Sequence, residues 1–186
     1  MTAPAITVPG TVSRHWKTGL IIGNVDLSGI ITVKLSGGLP PDGQRCQTIP
    51  SVPPAILQAL TGQFLDSMNA LAEADGAAPV TRADTEIQIW RDGYDRPAFS
   101  SQARYTAWTF LAASPAPAHS ESGCLAVADP RAGSSLTAMP GLPWGRQVLV
   151  RPVPGAHAVV PGWLTCSIVP LEHRQHITVA VAASAG

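Results

Sequence analysis

The clearest periodic pattern in the chain is an apolar stripe in its first half. Five large apolar residues recur at spacings of three and four: Leu57, Leu60, Phe64, Met68 and Leu71. This spacing predicts an amphipathic helix over residues 54–74, with its stripe packed against a sheet. Ser51 is placed to cap the helix, and Gly76 suits its end.

From residue 84 onward the pattern changes to period two. Glu86-Ile87-Gln88-Ile89-Trp90 alternates, and similar short segments lie within 103–112, 124–128, 147–151, 156–160, 164–169 and 176–182. Turn-forming residues separate these segments, and residues 29–35 form a further β-branched run before the helix. Seven or eight short strands behind one helix predict a mainly β fold, an antiparallel sandwich or jelly roll.

Composition narrows the class of protein. The 186 residues are enough for one domain, 1–186, with N-terminal strands and loops in 1–50, the helix, and core strands in 84–184. Hydrophobic residues make up 45%, which excludes general disorder, and 17 Gly with 18 Pro favour many short elements. Lys and Arg total 12 and Asp and Glu also 12, so no basic excess indicates nucleic-acid binding.

The expected compartment of the protein and the redox state of its cysteines follow from motifs that the sequence lacks. No apolar stretch is long enough to span a membrane, and the first residues lack the pattern of a secretion signal. Cys46, Cys124 and Cys166 are far apart and no CxxC occurs, which argues against a zinc knuckle or a disulfide framework. We therefore expect a cytoplasmic protein with a small-molecule substrate and no nucleic-acid or membrane partner. The low charge also allows a homo-oligomer.

The C-terminal half carries an ordered set of segments. An alternating strand ends at Trp90, Asp129-Pro130-Arg131 follows another strand, and Pro161-Gly162-Trp163-Leu164 precedes a third. In this order they resemble the 2-oxoglutarate/Fe(II)-dependent oxygenases, especially the short prolyl-hydroxylase-like branch of bacteria and phages. The resemblance covers roughly residues 86–183 and implies a double-stranded β-helix, a form of jelly roll, which agrees with the strand count.

The resemblance also implies an iron site whose ligands this chain lacks. The distal His of the family falls on Cys166, the upstream His segment near Phe99-Ser100-Ser101, and the Arg that clamps 2-oxoglutarate on His176. Arg174, two residues earlier, would share the face of His176 on a strand and is a substitute for that clamp. No histidine occurs between residues 15 and 119, so the usual His-x-Asp or His-x-His pair is missing under any alignment. We expect a degenerate member without metal or cofactor; the alternative is Fe(II) and 2-oxoglutarate.

Ten residues are candidates for a pocket in such a barrel. Arg104 would stabilise negative charge, His157 or His176 would move protons, and Cys166 is either a nucleophile or a buried hydrophobe. The substrate-binding candidates are Trp108, Phe110, Phe99, Tyr105, Trp163 and Arg174. Alternation places Arg104 on one face with Trp108 and Phe110, a pattern shared by cavity walls and packed cores. We expect Asp129-Pro130-Arg131 to end a strand, with an Asp–Arg contact fixing the loop.

Three functions remain open from the sequence. The first is a small-molecule enzyme of specialised metabolism, independent of iron and 2-oxoglutarate, that performs cyclisation, isomerisation or lyase chemistry by positioning and acid/base groups. The second is an active oxygenase with atypical ligands, drawn from Asp92, Asp95, His157, Cys166 and His176. The third is a non-catalytic ligand-binding protein or the partner subunit of an active enzyme.

Overall fold

The computed structural model describes residues 11–15, 18–30, 44–131 and 146–185. These residues form one helix, α1 (Pro54–Asp75), and eleven strands. The strands are β1 (Thr11–His15), β2 (Thr18–Asn24), β3 (Cys46–Thr48), β4 (Ala83–Arg91), β5 (Arg96–Phe99), β6 (Tyr105–Ser114), β7 (Leu125–Val127), β8 (Val148–Val150), β9 (Ala156–Pro161), β10 (Cys166–Ile168) and β11 (His176–Ser184). Of the strand predicted at 29–35, residues 29 and 30 lie in a turn and the rest falls outside the described residues.

The strands form two antiparallel sheets. The large sheet has the order β1-β2-β9-β6-β11-β4-β3, and the small sheet has the order β5-β10-β7-β8. From β4 onward the chain passes back and forth between them, so that the large-sheet core β4-β11-β6-β9 faces the small sheet. The fold is that of the double-stranded β-helix. The predicted jelly roll is confirmed.

Helix α1 lies against the outer face of the large sheet, the face turned away from the small sheet. It begins after Pro53, and no side chain caps its first turn, so the expectation that Ser51 caps the helix was wrong. Pro54 occupies the first turn, where a missing backbone N–H costs nothing. Gly76 ends the helix at φ 67°, a left-handed conformation that glycine adopts without penalty, and its N–H bonds to the Glu73 carbonyl at 3.1 Å.

Two apolar clusters lie on opposite faces of the large sheet. The helix-side cluster joins the buried stripe of α1 to the outer sheet face and includes Leu60, Phe64, Met68, Leu71, Ile87, Ala107, Val159, Ala180 and Ala182. The barrel cluster fills the space between the sheets and includes Trp90, Trp108, Phe110, Leu125, Val160, Cys166, Ile168, Ile177 and Val179. Among the described residues, no helix is long and apolar enough to cross a membrane.

Candidate functional site

Cys166 lies where the resemblance implies the distal iron ligand, and Phe99 begins the segment near which it implies the upstream one; the structure sets the two residues directly opposite each other. Cys166 on β10 pairs with Phe99 on β5 and with Val127 on β7. Cys166 is 2% exposed and belongs to the barrel cluster. Burial raises the pKa of its thiol to about 12, and the nearby charge of Arg96 only partly opposes this shift.

These residues do not fit Fe(II). A phenyl ring has no donor atom, and Cys166 alone cannot replace the histidine and carboxylate ligands that a facial iron site needs. The ring of Phe99 instead packs edge-on against Trp108, with 6.3 Å between centroids. Within the described ranges, no group of three or more His, Cys, Asp or Glu side chains could hold a metal ion.

His176, at the position implied for the 2-oxoglutarate clamp, lies on the outside of the barrel. On β11, Ala180 and Ala182 belong to the helix-side cluster, so strand alternation puts His176 on their outer face. It is exposed to solvent. The inward position beside it is taken by Ile177, an apolar member of the barrel cluster. The carboxylate clamp is therefore absent at this position too.

Arg174, the substitute for the clamp, lies in the turn before β11. It is exposed and has a left-handed backbone, φ 65°, which only a few per cent of non-glycine residues adopt. Its backbone N–H bonds to the Asp92 carboxylate and lowers the pKa of that carboxyl. Asp92 also contacts His173 Nδ1 at 2.6 Å, so this turn is held by an exposed histidine–carboxylate contact. Neither Asp92 nor Asp95 joins His157, Cys166 or His176 in a ligand set within the described chain.

His157 lies between the large sheet and α1. Its ring is 0% exposed, with Nδ1 at 2.8 Å from the Thr109 hydroxyl and Nε2 at 3.0 Å from the Ser67 hydroxyl. It stacks on Phe64 with 5.8 Å between centroids. Burial lowers the pKa of His157 to about 4, so it is neutral at physiological pH. The structure thus uses this histidine to join the helix to the sheet, away from the barrel interior.

Three more of the candidates also lie away from the barrel interior. Arg104 donates from Nη1 to the Ala78 carbonyl at 2.5 Å, beyond the end of α1. Tyr105 is buried in the helix-side cluster, where desolvation raises its pKa. Trp163 is 58% exposed in the turn after β9. The expected face with Arg104 beside Trp108 does not form, because the guanidinium turns toward the helix.

The remaining candidates meet inside the barrel. Trp108 and Phe110 lie on the inner face of β6, Trp108 against Phe99 and Phe110 edge-on to Trp90 at 6.0 Å. Of the ten candidates, the structure brings together Phe99, Trp108, Phe110 and Cys166. The Asp129–Arg131 contact is confirmed after β7, with Arg131 Nε donating to Asp129 Oδ1 at 2.9 Å.

One row of polar side chains was not predicted from the sequence. It runs along β3, β4 and the turn after β4, and we call it the polar ladder: Thr48, Glu86, Gln88, Trp90, Cys46 and Tyr94. Thr48 Oγ1 donates to Glu86 Oε2 at 3.0 Å, and Gln88 Nε2 donates to Glu86 Oε1 at 2.5 Å. The Trp90 indole N–H donates to Gln88 Oε1 at 2.8 Å. The signal was present, because the alternation that buries Ile87 on the helix side turns Glu86, Gln88 and Trp90 inward.

The ladder continues to a thiol and a phenol. Cys46 Sγ lies 3.6 Å from Gln88 Oε1, and the ring of Tyr94 lies 5.4 Å from that of Trp90. Burial raises the pKa of both Cys46 and Tyr94. Both therefore stay protonated at neutral pH, and Glu86 is the only carboxylic acid among the six ladder residues.

Comparisons with known proteins bear on the fold alone. No protein-family model and no curated protein matches this chain. Among solved structures, a Pseudomonas putida prolyl-4-hydroxylase is 15% identical (67% of this chain, 65% of that chain, TM-score 0.46). A rice dioxygenase for auxin oxidation is 16% identical over 74% of this chain and 50% of that chain, with a TM-score of 0.46. A Burkholderia pseudomallei oxidoreductase of the 2OG-Fe(II) oxygenase family is 13% identical over 95% of this chain and 73% of that chain, with a TM-score of 0.43. The chain thus spans less than two thirds of the first two. These structures are similar to this chain in fold alone.

Proposed function

We propose that this protein is a small-molecule enzyme that works without iron or 2-oxoglutarate, at the end of the barrel where Glu86 lies. A cleft of about 360 Å³ opens there on β4 and β11, lined by Asp84, Thr85, Glu86, Val181, Ala182 and Ala183. Its volume lies within the usual range of small-molecule sites. The observation that carries the proposal is Glu86 itself, an exposed carboxylate at the cleft that the polar ladder holds from both oxygens.

Glu86 is suited to acid/base chemistry. One hydrogen bond to each carboxylate oxygen fixes the group, and each oxygen keeps a lone pair that can accept a proton. The carboxylate would take a proton from carbon, the electron pair would move into an adjacent carbonyl of the substrate, and the proton would return at the same or another carbon. This sequence moves no net electrons, so isomerisation, cyclisation or lyase chemistry needs no redox metal.

In this proposal Glu86 takes the proton-moving role expected of His157 or His176, since both histidines lie on the outer face of the large sheet. Specialised metabolism remains a prediction from the sequence. The absence of Fe(II) and 2-oxoglutarate is proposed on the chemistry of Phe99, Cys166 and Ile177 at the positions described above.

The proposal is tested first by cofactor binding. Protein purified from iron-supplemented cells should carry only substoichiometric iron by elemental analysis. Calorimetric titration with 2-oxoglutarate, with Fe(II) added under anaerobic conditions, should show no binding. Stoichiometric iron together with 2-oxoglutarate binding would overturn the proposal and favour the oxygenase with atypical ligands.

The acid/base role is tested by proton exchange. A panel of cyclic ketones and β-keto esters is incubated with the protein in D₂O, and deuterium incorporation is followed by mass spectrometry. Glu86→Gln should lower the exchange rate about a hundredfold or more, because it removes the base while keeping the shape. Glu73→Gln, an exposed carboxylate on α1, is the matched control and should match the wild type. Exchange that survives Glu86→Gln would contradict the role of Glu86.

A second candidate function has its own support. Trp90, Trp108 and Phe110 are almost fully buried, so the barrel interior among the described residues is packed with large apolar side chains. This packing favours the partner-subunit form of the non-catalytic alternative, because filled space between the sheets leaves little room for a ligand. No exchange by the wild-type protein with any member of the panel would support that alternative.

A further inference from the structure

Strand β5 contains a β-bulge that changes where Arg96 points. Cys166 pairs with Phe99 and Ile168 pairs with Arg96, so three residues of β10 face four of β5. Cys166 and Ile168 are two apart on their strand and both lie in the barrel cluster. Their partners therefore share that inner side, although alternation alone would put Arg96 and Phe99 on opposite faces. The extra residue re-aims the arginine, as bulges beside functional sites commonly do.

The guanidinium of Arg96 lies over an aromatic ring. Its Cζ is 3.8 Å from the centroid of Phe99, a cation–π contact. The positive charge also opposes the burial-driven rise in pKa of Cys46, Tyr94 and Cys166, which belong to three different segments. Arg96 therefore stands where the edges of the two sheets face each other, next to the polar ladder.

Arg96 has an exposed guanidinium with no carboxylate at ion-pair distance among the described residues. Several other arginines of the described chain do have partners: Arg82 contacts Asp84, Arg131 contacts Asp129, and Arg91 and Arg104 donate to backbone carbonyls. Stacking uses the flat face of the guanidinium and leaves its N–H edge free. That edge matches the two oxygens of a carboxylate in a bidentate pair.

We propose that Arg96 binds the carboxylate of a substrate whose flat, apolar body lies against Phe99 and the neighbouring aromatic side chains. This inference deepens the proposed function by naming the substrate class of the same barrel. Arg96 anchors the anion, Phe99 positions both the arginine and the ligand, and Glu86 remains the group that moves protons. Arg96 is thus a binding residue that the strand pattern hides, because only the bulge brings it to the inner side.

The test uses benzoate as the probe and benzamide as its neutral match, with binding followed by ligand-detected NMR. Benzoate should bind the wild-type protein about tenfold more tightly than benzamide, the value of one charge-assisted pair. Arg96→Gln should weaken benzoate binding about tenfold and leave benzamide unchanged, while Arg96→Lys should fall between. Phe99→Leu, which keeps the charge but removes the ring, should weaken both probes. Arg151→Gln, an exposed arginine after β8 at the opposite edge of the small sheet, is the matched control and should bind as the wild type.

Three results would overturn the inference: equal binding of benzoate and benzamide, benzoate binding that survives Arg96→Gln, or no benzoate binding by the wild type. Binding of inorganic phosphate is measured in parallel. Phosphate that binds at Arg96 as tightly as benzoate would show a general anion site instead of a carboxylate site. Because Arg96 is exposed, its variants should melt as the wild type does, which separates lost binding from lost folding. The benzoate assay involves neither iron nor Glu86, so a failure there would not contradict the proposed function. Stoichiometric bound iron would contradict the proposed function but would not change the benzoate result.

Discussion

Cys166 lies between Phe99 on one side and Val127 on the other, inside the barrel cluster. The sequence left two interpretations open for this residue, a reactive thiol or a small buried hydrophobe. Burial decides between them, because the side chain is 2% exposed inside the barrel cluster. The pairing with Phe99 joins the position of the implied distal ligand to the segment of the implied upstream one, and neither residue replaces the ligand that the implied iron site needs there.

The first prediction is that Cys166 resists alkylation in the folded protein. With its pKa raised to about 12, its thiolate fraction at pH 8 is about a thousandfold below that of an exposed thiol. Iodoacetamide labelling followed by peptide mass spectrometry should leave Cys166 unmodified in buffer. The control is the protein unfolded in guanidinium, in which Cys46, Cys124 and Cys166 should all be modified. Fast labelling of Cys166 in the folded protein would restore its candidacy as a nucleophile.

At the scale of elements, helix α1 is held to the large sheet by apolar packing and by one buried polar network. Leu60, Phe64, Met68 and Leu71 behave as the stripe predicted, whereas Leu57 is only half-buried. Ser67 is buried on the same face and bonds to His157. The hydrophobic stripe could not predict this contact. The hydrogen-bond partner of a serine on an apolar helix face depends on which strand packs against that face.

The second prediction concerns the pH dependence that this network creates. Above pH 6.5 His157 is neutral in the folded and the unfolded chain and contributes no pH dependence. Between pH 6.5 and about 4 the unfolded chain binds a proton that the folded chain does not, so the free energy of unfolding falls with pH. From pH 6.5 to pH 5 the loss should be about 2 kcal/mol.

Urea unfolding at several pH values measures this loss. The variant His157→Gln keeps a group that can bond to both hydroxyls but cannot titrate, so its stability should be nearly flat over the same pH range. It is expected to be less stable than the wild type at pH 7, which is why the slopes are compared. His176→Gln removes an exposed histidine on the same sheet and should keep the wild-type slope. An equal slope in His157→Gln would show that other groups cause the dependence.

At the scale of the whole molecule, the fold was more predictable than the site. Alternation identified the core strands, and turn residues separated them, because both signals are local. The face of each strand that meets the helix depends on contacts between residues far apart in the sequence. Strand pairing supplies these contacts, as between Ala83 and Ser184. This pairing places His157 on the helix side of the large sheet and Glu86 on the barrel side. Arg96 adds a second limit, because a bulge shifts the alternation and leaves no mark in the residue pattern.

The two apolar clusters share the large sheet, and this arrangement leads to the third prediction, that the described chain unfolds as one unit. Leu60→Ala, in the helix-side cluster, should lower the free energy of unfolding by about 2–5 kcal/mol because it leaves a buried cavity. Far-UV circular dichroism reports the helix and sheets, and tryptophan fluorescence reports Trp90 and Trp108 in the barrel cluster. Both signals should shift to the same lower urea midpoint, although the substitution touches only one face of the sheet.

The control is Leu149→Ala on the edge strand β8, where the side chain is already partly exposed and the midpoint should move little. A fluorescence midpoint of Leu60→Ala that stays at the wild-type value while the dichroism midpoint falls would contradict the prediction. In that case the barrel would hold together without its helix, and the sheet would not transmit the loss of packing from one face to the other. Coincident shifts would instead tie the environment of the polar ladder and Arg96 to the packing of α1, because every strand of the large-sheet core contacts both clusters.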